Sequence, residues 1–309
     1  MTVTTNSLLT PEMSHSNNHI RRSADFRSLL EEADNGPMSQ SVNEPVLLTI
    51  AGFDPSAGAG IVADLKTFAA HGCYGVAAIT AITVQNTRGV EDLHPVEPNV
   101  LKNCLSALFA DTSIKAIKVG MLATRATAAV IQELLEANAS LPSVVDPVVR
   151  STSGYDLIEP SGLEFVRNHL LRQVSVITPN LHEAAALTGL SIHGLEEMKV
   201  AALKLLELGA RAVVVTGGHL ERPIDVFADG SGLQTFAGDR VKPENIHGAG
   251  CAFSSAIAAH LGHGRQLADA VVLAKAYVTE AIKKAFAVGS GRVPLNHFYR
   301  VQEASRVAP

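Results

Sequence analysis

From Val46 onward, short apolar runs alternate with stretches whose apolar residues recur every three or four positions. Val46 to Ala51 (VLLTIA), closed by Gly52, has strand length and no polar face, which predicts a strand buried on both sides. Ile61 to His71 sets Ile61, Leu65, Phe68 and Ala69 at helical spacing, with Gly72 as a stop. The alternation continues with strand Val76 to Val84, helix Val100 to Phe109, strand Ala116 to Val119, helix Ala126 to Ala137 and strand Val144 to Val145. Strand Val174 to Ile177, helices Leu181 to Leu187 and Leu195 to Leu208, and strand Ala212 to Val215 follow. This βαβ series predicts an α/β protein with a mostly parallel sheet covered by helices on both faces. Ile224 to Ala228 and Leu233 to Phe236, around the turn Asp229-Gly230-Ser231-Gly232, predict an antiparallel hairpin at the sheet edge. Two helices close the chain, the second with one apolar stripe of Leu267, Val271, Ala274, Val278, Ala281, Ile282 and Phe286.

Composition narrows what such a fold does. A chain of 309 residues with 47% hydrophobic content holds a sizeable core in one large or two modest domains. The net charge of −5, the 5% aromatic content and the absence of Trp argue against a nucleic-acid partner. Three cysteines, Cys73, Cys104 and Cys251, are too few and too irregular for a disulfide framework, so a reducing cytoplasmic setting is expected. The longest uncharged stretch, Thr67 to Thr87, is interrupted by His71, Gln85 and Asn86, and no membrane segment is expected. Residues 1–45, rich in Ser, Thr, Asn and acidic side chains, read as a mobile extension with no secretory signal; residues 46–309 read as one domain.

In open α/β sheets ligands bind beyond the carboxyl ends of the strands, so the residues that follow each strand are the candidates. They are Gly52 to Gly60, Gln85-Asn86-Thr87, Gly120-Met121, Asp146-Pro147, Thr178-Pro179-Asn180 with Glu183, and Thr216-Gly217-Gly218-His219. The first C-terminal helix opens with His247-Gly248-Ala249-Gly250-Cys251. Gly58 to Ala63 satisfies the dinucleotide pattern G-x-G-x-x-G/A, but it lies too far after the strand, and no acid occurs between Asp64 and Glu91 to hold a ribose. No P-loop sequence exists. Gly248 and Gly250 at a helix start predict converging N–H groups with the helix dipole behind them, an anion site suited to phosphoryl transfer. Cys251 in the first turn is expected to have a lowered thiol pKa and to act as a base. Asp146 and Glu183 could hold Mg²⁺ against nucleotide phosphates, or serve only as a turn residue and a helix cap paired with Asn180.

Taken together, Gly52-Phe53-Asp54-Pro55-Ser56, Lys118-Val119-Gly120-Met121, Asp146-Pro147-Val148, Thr178-Pro179-Asn180-Leu181-His182-Glu183, Gly217-Gly218-His219 and His247 to Cys251 resemble the hydroxymethylpyrimidine/phosphomethylpyrimidine kinases of thiamine biosynthesis. The resemblance spans nearly the whole chain from residue 46. It implies the three-layer α/β/α ribokinase-like fold and ATP- and Mg²⁺-dependent phosphorylation of 4-amino-5-hydroxymethyl-2-methylpyrimidine and then of its monophosphate. By the same resemblance, Gln85 would bind the pyrimidine edge in a pocket of Gly52, Thr83, Met121 and Val148, with Asp64 as a further substrate contact. Gly248, Ala249 and Gly250 would form the anion hole, with Cys251 where sugar-kinase relatives carry an aspartate base. Asn180, Thr216, Gly218 and Lys275 would face ATP, and Asp146 and Glu183 would organise Mg²⁺. Phe53, Thr83, Arg150 and Thr216 depart from the family's usual residues at those positions, so a pyridoxal kinase stands as the alternative within the same chemistry. A non-catalytic pyrimidine-binding regulator on the same fold is the alternative from another class, and a homodimer is compatible with the resemblance.

Overall fold

The computed structural model describes residues 44–218 and 220–302. The predicted extension therefore lies, except for its last two residues, outside the described residues, as does His219. In chain order the elements are β1 (Val46–Phe53), α1 (Gly60–Ala70), β2 (Tyr74–Asn86), β3 (Gly89–Pro95), α2 (Pro98–Asp111), β4 (Ile114–Val119), α3 (Arg125–Ala137) and β5 (Ser143–Val145). They continue with α4 (Pro160–Asn168), β6 (Val176–Ile177), α5 (Leu181–Thr188), α6 (Leu195–Glu207), β7 (Ala212–Val215), β8 (Ile224–Asp229) and β9 (Gly232–Ala237). The last are β10 (Ile246–His247), α7 (Ala249–Gly262), α8 (Leu267–Lys283) and β11 (Val293–Pro294).

Among the described residues nine strands form one sheet in the order β3-β2-β1-β4-β5-β6-β7-β8-β9. The strands from β2 to β7 run parallel, and β3, β8 and β9 are antiparallel to their neighbours. The central strands carry no polar face because both faces are covered. Alternate residues feed two cores: Leu48, Ile117, Val145, Ile177 and Val213 pack with α2 to α6, while Leu47, Ala116, Val144, Val176 and Val214 pack with α1, α7 and α8. The expected three layers are present, and the parallel strands β1, β2, β4, β5, β6 and β7 deliver their carboxyl ends to one edge.

Several boundaries differ from the sequence reading. The chain folds β3 and α4 where no element was expected. β3 (GVEDLHP) is exposed for most of its length and has no apolar rhythm; the long apolar β2 dictates it by pairing Gln85 with Val90 and Asn86 with Gly89. α4 is short and weakly apolar, and Pro160 in its first turn is the one local signal for its start. The stripe on α8 ends earlier than expected: the helix stops at Lys283, Phe286 is 52% exposed, and Tyr277 fills the core instead.

Buried imidazoles gather where α1, α7 and α8 meet the C-terminal segment. His71 lies edge-on to His260 and Tyr277, and His297 Nδ1 sits 3.2 Å from the Thr67 hydroxyl. Burial, with the neighbouring His71 and cationic side chains adding to it, pushes His260 and His297 down to about 4. Both are neutral when folded and protonate more readily when unfolded, near 6.5. Their contribution is therefore complete above pH 6.5 and is lost as the pH falls toward 4. At 1.36 kcal/mol per unit this amounts to up to roughly 3 kcal/mol for the buried His297, and to less for His260, which is partly exposed and screened by solvent. Calorimetry at pH 7 and pH 4.5 should show a clearly lower Tm in acid; an unchanged Tm would contradict the assignment.

Candidate active site

β1 ends at Phe53, and the next residue organises the loop that leads into α1. Asp54, 3% exposed, accepts hydrogen bonds from Ser56 N (2.8 Å), Ser56 Oγ (2.7 Å), Gly58 N (3.2 Å) and Ala59 N (2.9 Å). It also pairs with His247 Nε2 at 2.9 Å. Burial works against its charge, but the hydrogen bonds from His247 and Ser56 outweigh burial and hold the carboxyl below its usual range. His247 is held a second time by its backbone, since β10 pairs with β11 through Ile246 with Val293 and His247 with Pro294.

Two glycines make this contact between loops feasible. A Cβ on Gly58 would stand 2.4 Å from His247 Cδ2. One on Gly248, whose φ is +84°, would stand 1.9 Å from Gly58 O. The glycines let one loop pack on the other as well as bringing backbone to the cavity, a packing role that the sequence alone did not reveal. Beyond Gly248, the first intrahelical bond of α7 is Ala252 N to Gly248 O at 2.9 Å. The N–H groups of Ala249, Gly250 and Cys251 precede it and lie at the positive end of the helix.

Beneath this helix start lies a charge pair closed off from solvent. Asp64 and Lys118 are both 0% exposed, and Lys118 Nζ donates to Asp64 Oδ2 at 2.9 Å. Asp64 also accepts from Thr49 Oγ1 (2.6 Å) and Ser255 Oγ (2.7 Å). The expected substrate contact of Asp64 is therefore corrected: all its described partners are internal, and it does not line the cavity. Burial would lower the Lys118 pKa, but the charge and hydrogen bond of the Asp64 carboxylate reverse the effect, so the ammonium stays charged.

The expected lowering of the Cys251 pKa is corrected as well. Burial pushes the thiol above its ordinary value, Asp146 and Asp64 push it further, and Lys118 and a hydrogen bond from Gly60 N–H only partly oppose them. The helix field acts on a half-buried thiol, and desolvation by the surrounding protein together with the neighbouring carboxylates outweighs it, so the resting thiol keeps its proton. Asp146, 5% exposed, is raised mainly by burial. Glu183, 4% exposed, is pushed up to about 8 by burial and then by Asp146. Glu183 also completes a capping box: its Oε2 accepts from Asn180 N at 2.8 Å, and Asn180 Oδ1 accepts from Glu183 N at 3.0 Å. The cap reading holds for Asn180 and Glu183, while both residues still border the cavity.

That cavity, about 430 Å³, brings together Gly52, Thr83, Gln85, Met121 and Val148 with Asn180, Thr216, Gly218 and Lys275. Asp146, Glu183, Gly248, Ala249, Gly250 and Cys251 also line it. Apart from Asp64, every site residue expected from the sequence borders this one space. Lys275 is not a free cation there, because it is paired with Asp225, whose other oxygen accepts from Gly217 N at 3.0 Å. The Gln85 amide lies between the Thr83 hydroxyl at 3.0 Å and His247 Nε2 at 3.1 Å. The sequence reading missed Asp54, Lys118 and the ring of His247 as organisers, since none has a spacing signature; only the fold brings residues 54, 85 and 247 together.

A donor set of two buried carboxylates raised in pKa, with no third acidic, His or Cys ligand grouped with them among the described residues, fits a hard divalent cation completed by phosphate oxygens and water. Among the described residues no helix is long and apolar enough to cross a membrane.

Comparison with known proteins bears on this arrangement. The profile of a family described as phosphomethylpyrimidine kinase matches residues 54–296. A hydroxymethylpyrimidine/phosphomethylpyrimidine kinase of Rhizobium meliloti is 45% identical over 260 residues, covering 82% of this chain and 97% of the relative. One from Aquifex aeolicus is 42% identical over 248 residues, covering 80% and 97%. Among solved structures, the pyridoxal kinase from Staphylococcus aureus in complex with AMP-PCP and pyridoxal superposes with a TM-score of 0.77 at 35% identity, covering 83% of this chain and 94% of that one.

Proposed function

This chain belongs to the phosphomethylpyrimidine kinase family, and we propose that it transfers the γ-phosphoryl group of ATP to the hydroxymethyl group of 4-amino-5-hydroxymethyl-2-methylpyrimidine and then to the resulting monophosphate, in the cytoplasm. The observation that carries the reading is that Gln85 and Thr83 border the same cavity as the N-terminus of α7. The N–H groups of Ala249, Gly250 and Cys251 would stabilise the charge that spreads over the equatorial oxygens during transfer. Asp146 and Glu183 would hold Mg²⁺, which neutralises phosphate charge when bound. Cys251, which lines the cavity, would release its own proton to solvent there and then, as the thiolate favoured by the Lys118 ammonium and the Gly60 N–H, take the proton of the attacking hydroxyl. Asn180, Thr216, Gly218 and Lys275 would border the nucleotide.

A pyridoxal acceptor is the second reading, supported by the likeness to a pyridoxal-bound kinase. Polar complementarity at Gln85 favours the aminopyrimidine. Replacing Gln85 with leucine removes a buried polar partner of the ring, so the KM for the pyrimidine should rise on the order of 10- to 100-fold while the KM for ATP stays nearly constant. Steady-state kinetics with each substrate varied in turn decides this; equal effects on both KM values would refute the assigned role. A regulator that only binds would show tight ligand binding without ADP release.

A further inference from the structure

We propose that His247, fixed by Asp54, sets which way round the Gln85 amide faces, and so makes the site selective for a ring edge with an acceptor nitrogen beside an exocyclic donor. The inference rests on the reading that Gln85 faces the acceptor ring. Asp54 already receives four donors from its own loop, so it is a carboxylate that only accepts. Its contact with His247 Nε2 at 2.9 Å therefore needs a proton on Nε2. A protonated Nε2 has no lone pair left for an amide N–H.

The two ends of the Gln85 amide are exchanged by a half-turn, and donor–acceptor matching decides between them. With the NH₂ end 3.1 Å from His247 Nε2, two N–H groups would oppose each other. The Thr83 hydroxyl, which has one proton, would also have to donate both to Phe53 O at 3.0 Å and to the amide oxygen at 3.0 Å. With the oxygen toward His247, both conflicts vanish: Nε2–H is shared between Asp54 and the Gln85 oxygen, the NH₂ donates to Thr83 Oγ1, and Thr83 donates to Phe53 O. The amide then keeps one oxygen lone pair on the His247 side and one N–H on the Thr83 side.

A 4-aminopyrimidine matches this polarity. Its amino group donates to the oxygen and its N3 accepts from the N–H. The amino group then lies on the side of His247, which leads directly into the anion site of α7, and the hydroxymethyl group is its ring neighbour. The corresponding pyrimidin-4-one presents the reverse, an N3–H donor beside a carbonyl acceptor, and is mismatched at both positions. His247 is thus a positioning residue that acts on the ring through Gln85.

The test compares kcat/KM for 4-amino-5-hydroxymethyl-2-methylpyrimidine and 5-hydroxymethyl-2-methylpyrimidin-4-one, with Mg-ATP, in the full chain and two variants. The unaltered protein should prefer the amino ring by at least about 100-fold, because a site built to pair polar groups rejects their mismatch strongly. His247→Leu frees the amide to turn, so the preference should collapse to within about tenfold, with the KM for ATP unchanged. His247→Gln keeps an N–H donor in the place of Nε2 and should restore most of the preference. In the unaltered protein, nitrogen-15 spectra should show His247 protonated at Nε2, a result that needs no variant to fold. An unchanged preference in His247→Leu, or a neutral imidazole protonated at Nδ1, overturns the proposal while leaving the kinase reading intact. Absence of turnover with the amino ring in the unaltered protein overturns both.

Discussion

Replacing Cys251 with alanine is expected to lower kcat by about 100-fold or more while leaving the dissociation constant for the aminopyrimidine within about threefold, the pattern of a lost proton acceptor rather than of lost binding. The sulfur sits in the first turn of α7, receives the Gly60 N–H, and has Lys118 on one side and Asp146 on the other. Apart from the proton it would accept, these contacts leave it little to do for the ring, whose proposed contact is Gln85. Alanine keeps the helix start and its N–H groups, so the anion site survives and residual turnover above the solution rate should persist. Rapid-mixing kinetics together with calorimetric titration of the pyrimidine would separate the two effects. Near-normal kcat would remove Cys251 from the mechanism.

The largest stability effect should come from Lys118→Met. The variant leaves the Asp64 carboxylate fully buried with only hydroxyl donors from Thr49 and Ser255. Breaking a buried pair on one side costs about 3 to 5 kcal/mol, chiefly because the remaining charge is uncompensated. In a chain of this size that corresponds to a Tm lower by on the order of 10 °C. Replacing both partners, as in Asp64→Leu with Lys118→Met, removes the stranded charge and should recover much of the loss. Thermal unfolding of the single and double variants checks this. A double variant no more stable than Lys118→Met would mean that the pair contributes mainly through packing.

What the sequence made legible follows from period and length. The strands β1 and β7 and the helices α1, α3, α5 and α6 carry continuous apolar runs or helical stripes, and they form within a residue or two of the expected ends at most of their boundaries. That the strand-end residues border one cavity was legible for the same reason, since a parallel sheet brings those ends to one edge. β3 was not, because its pairing with β2, rather than its own polar sequence, makes it a strand. The protonation of Cys251 and the internal partners of Asp64 were also hidden. A helix N-terminus predicts a lowered thiol pKa, but burial beside Asp146 and Asp64 wins, and burial is a property of the assembled layers. The family resemblance implies a substrate contact for Asp64, yet it lies on the face of α1 that turns inward to Thr49, Lys118 and Ser255. The Asp54, Gln85 and His247 cluster joins three distant segments and has no local pattern at all.

The central claim is tested most directly by incubating the purified chain with Mg-ATP and, separately, 4-amino-5-hydroxymethyl-2-methylpyrimidine, its monophosphate, pyridoxal or no acceptor, following ADP release and identifying the products by mass. The account predicts turnover with both pyrimidines, giving the monophosphate and the diphosphate in turn, with kcat/KM for pyridoxal well below that for the pyrimidine. Phosphorylation of pyridoxal alone would contradict it.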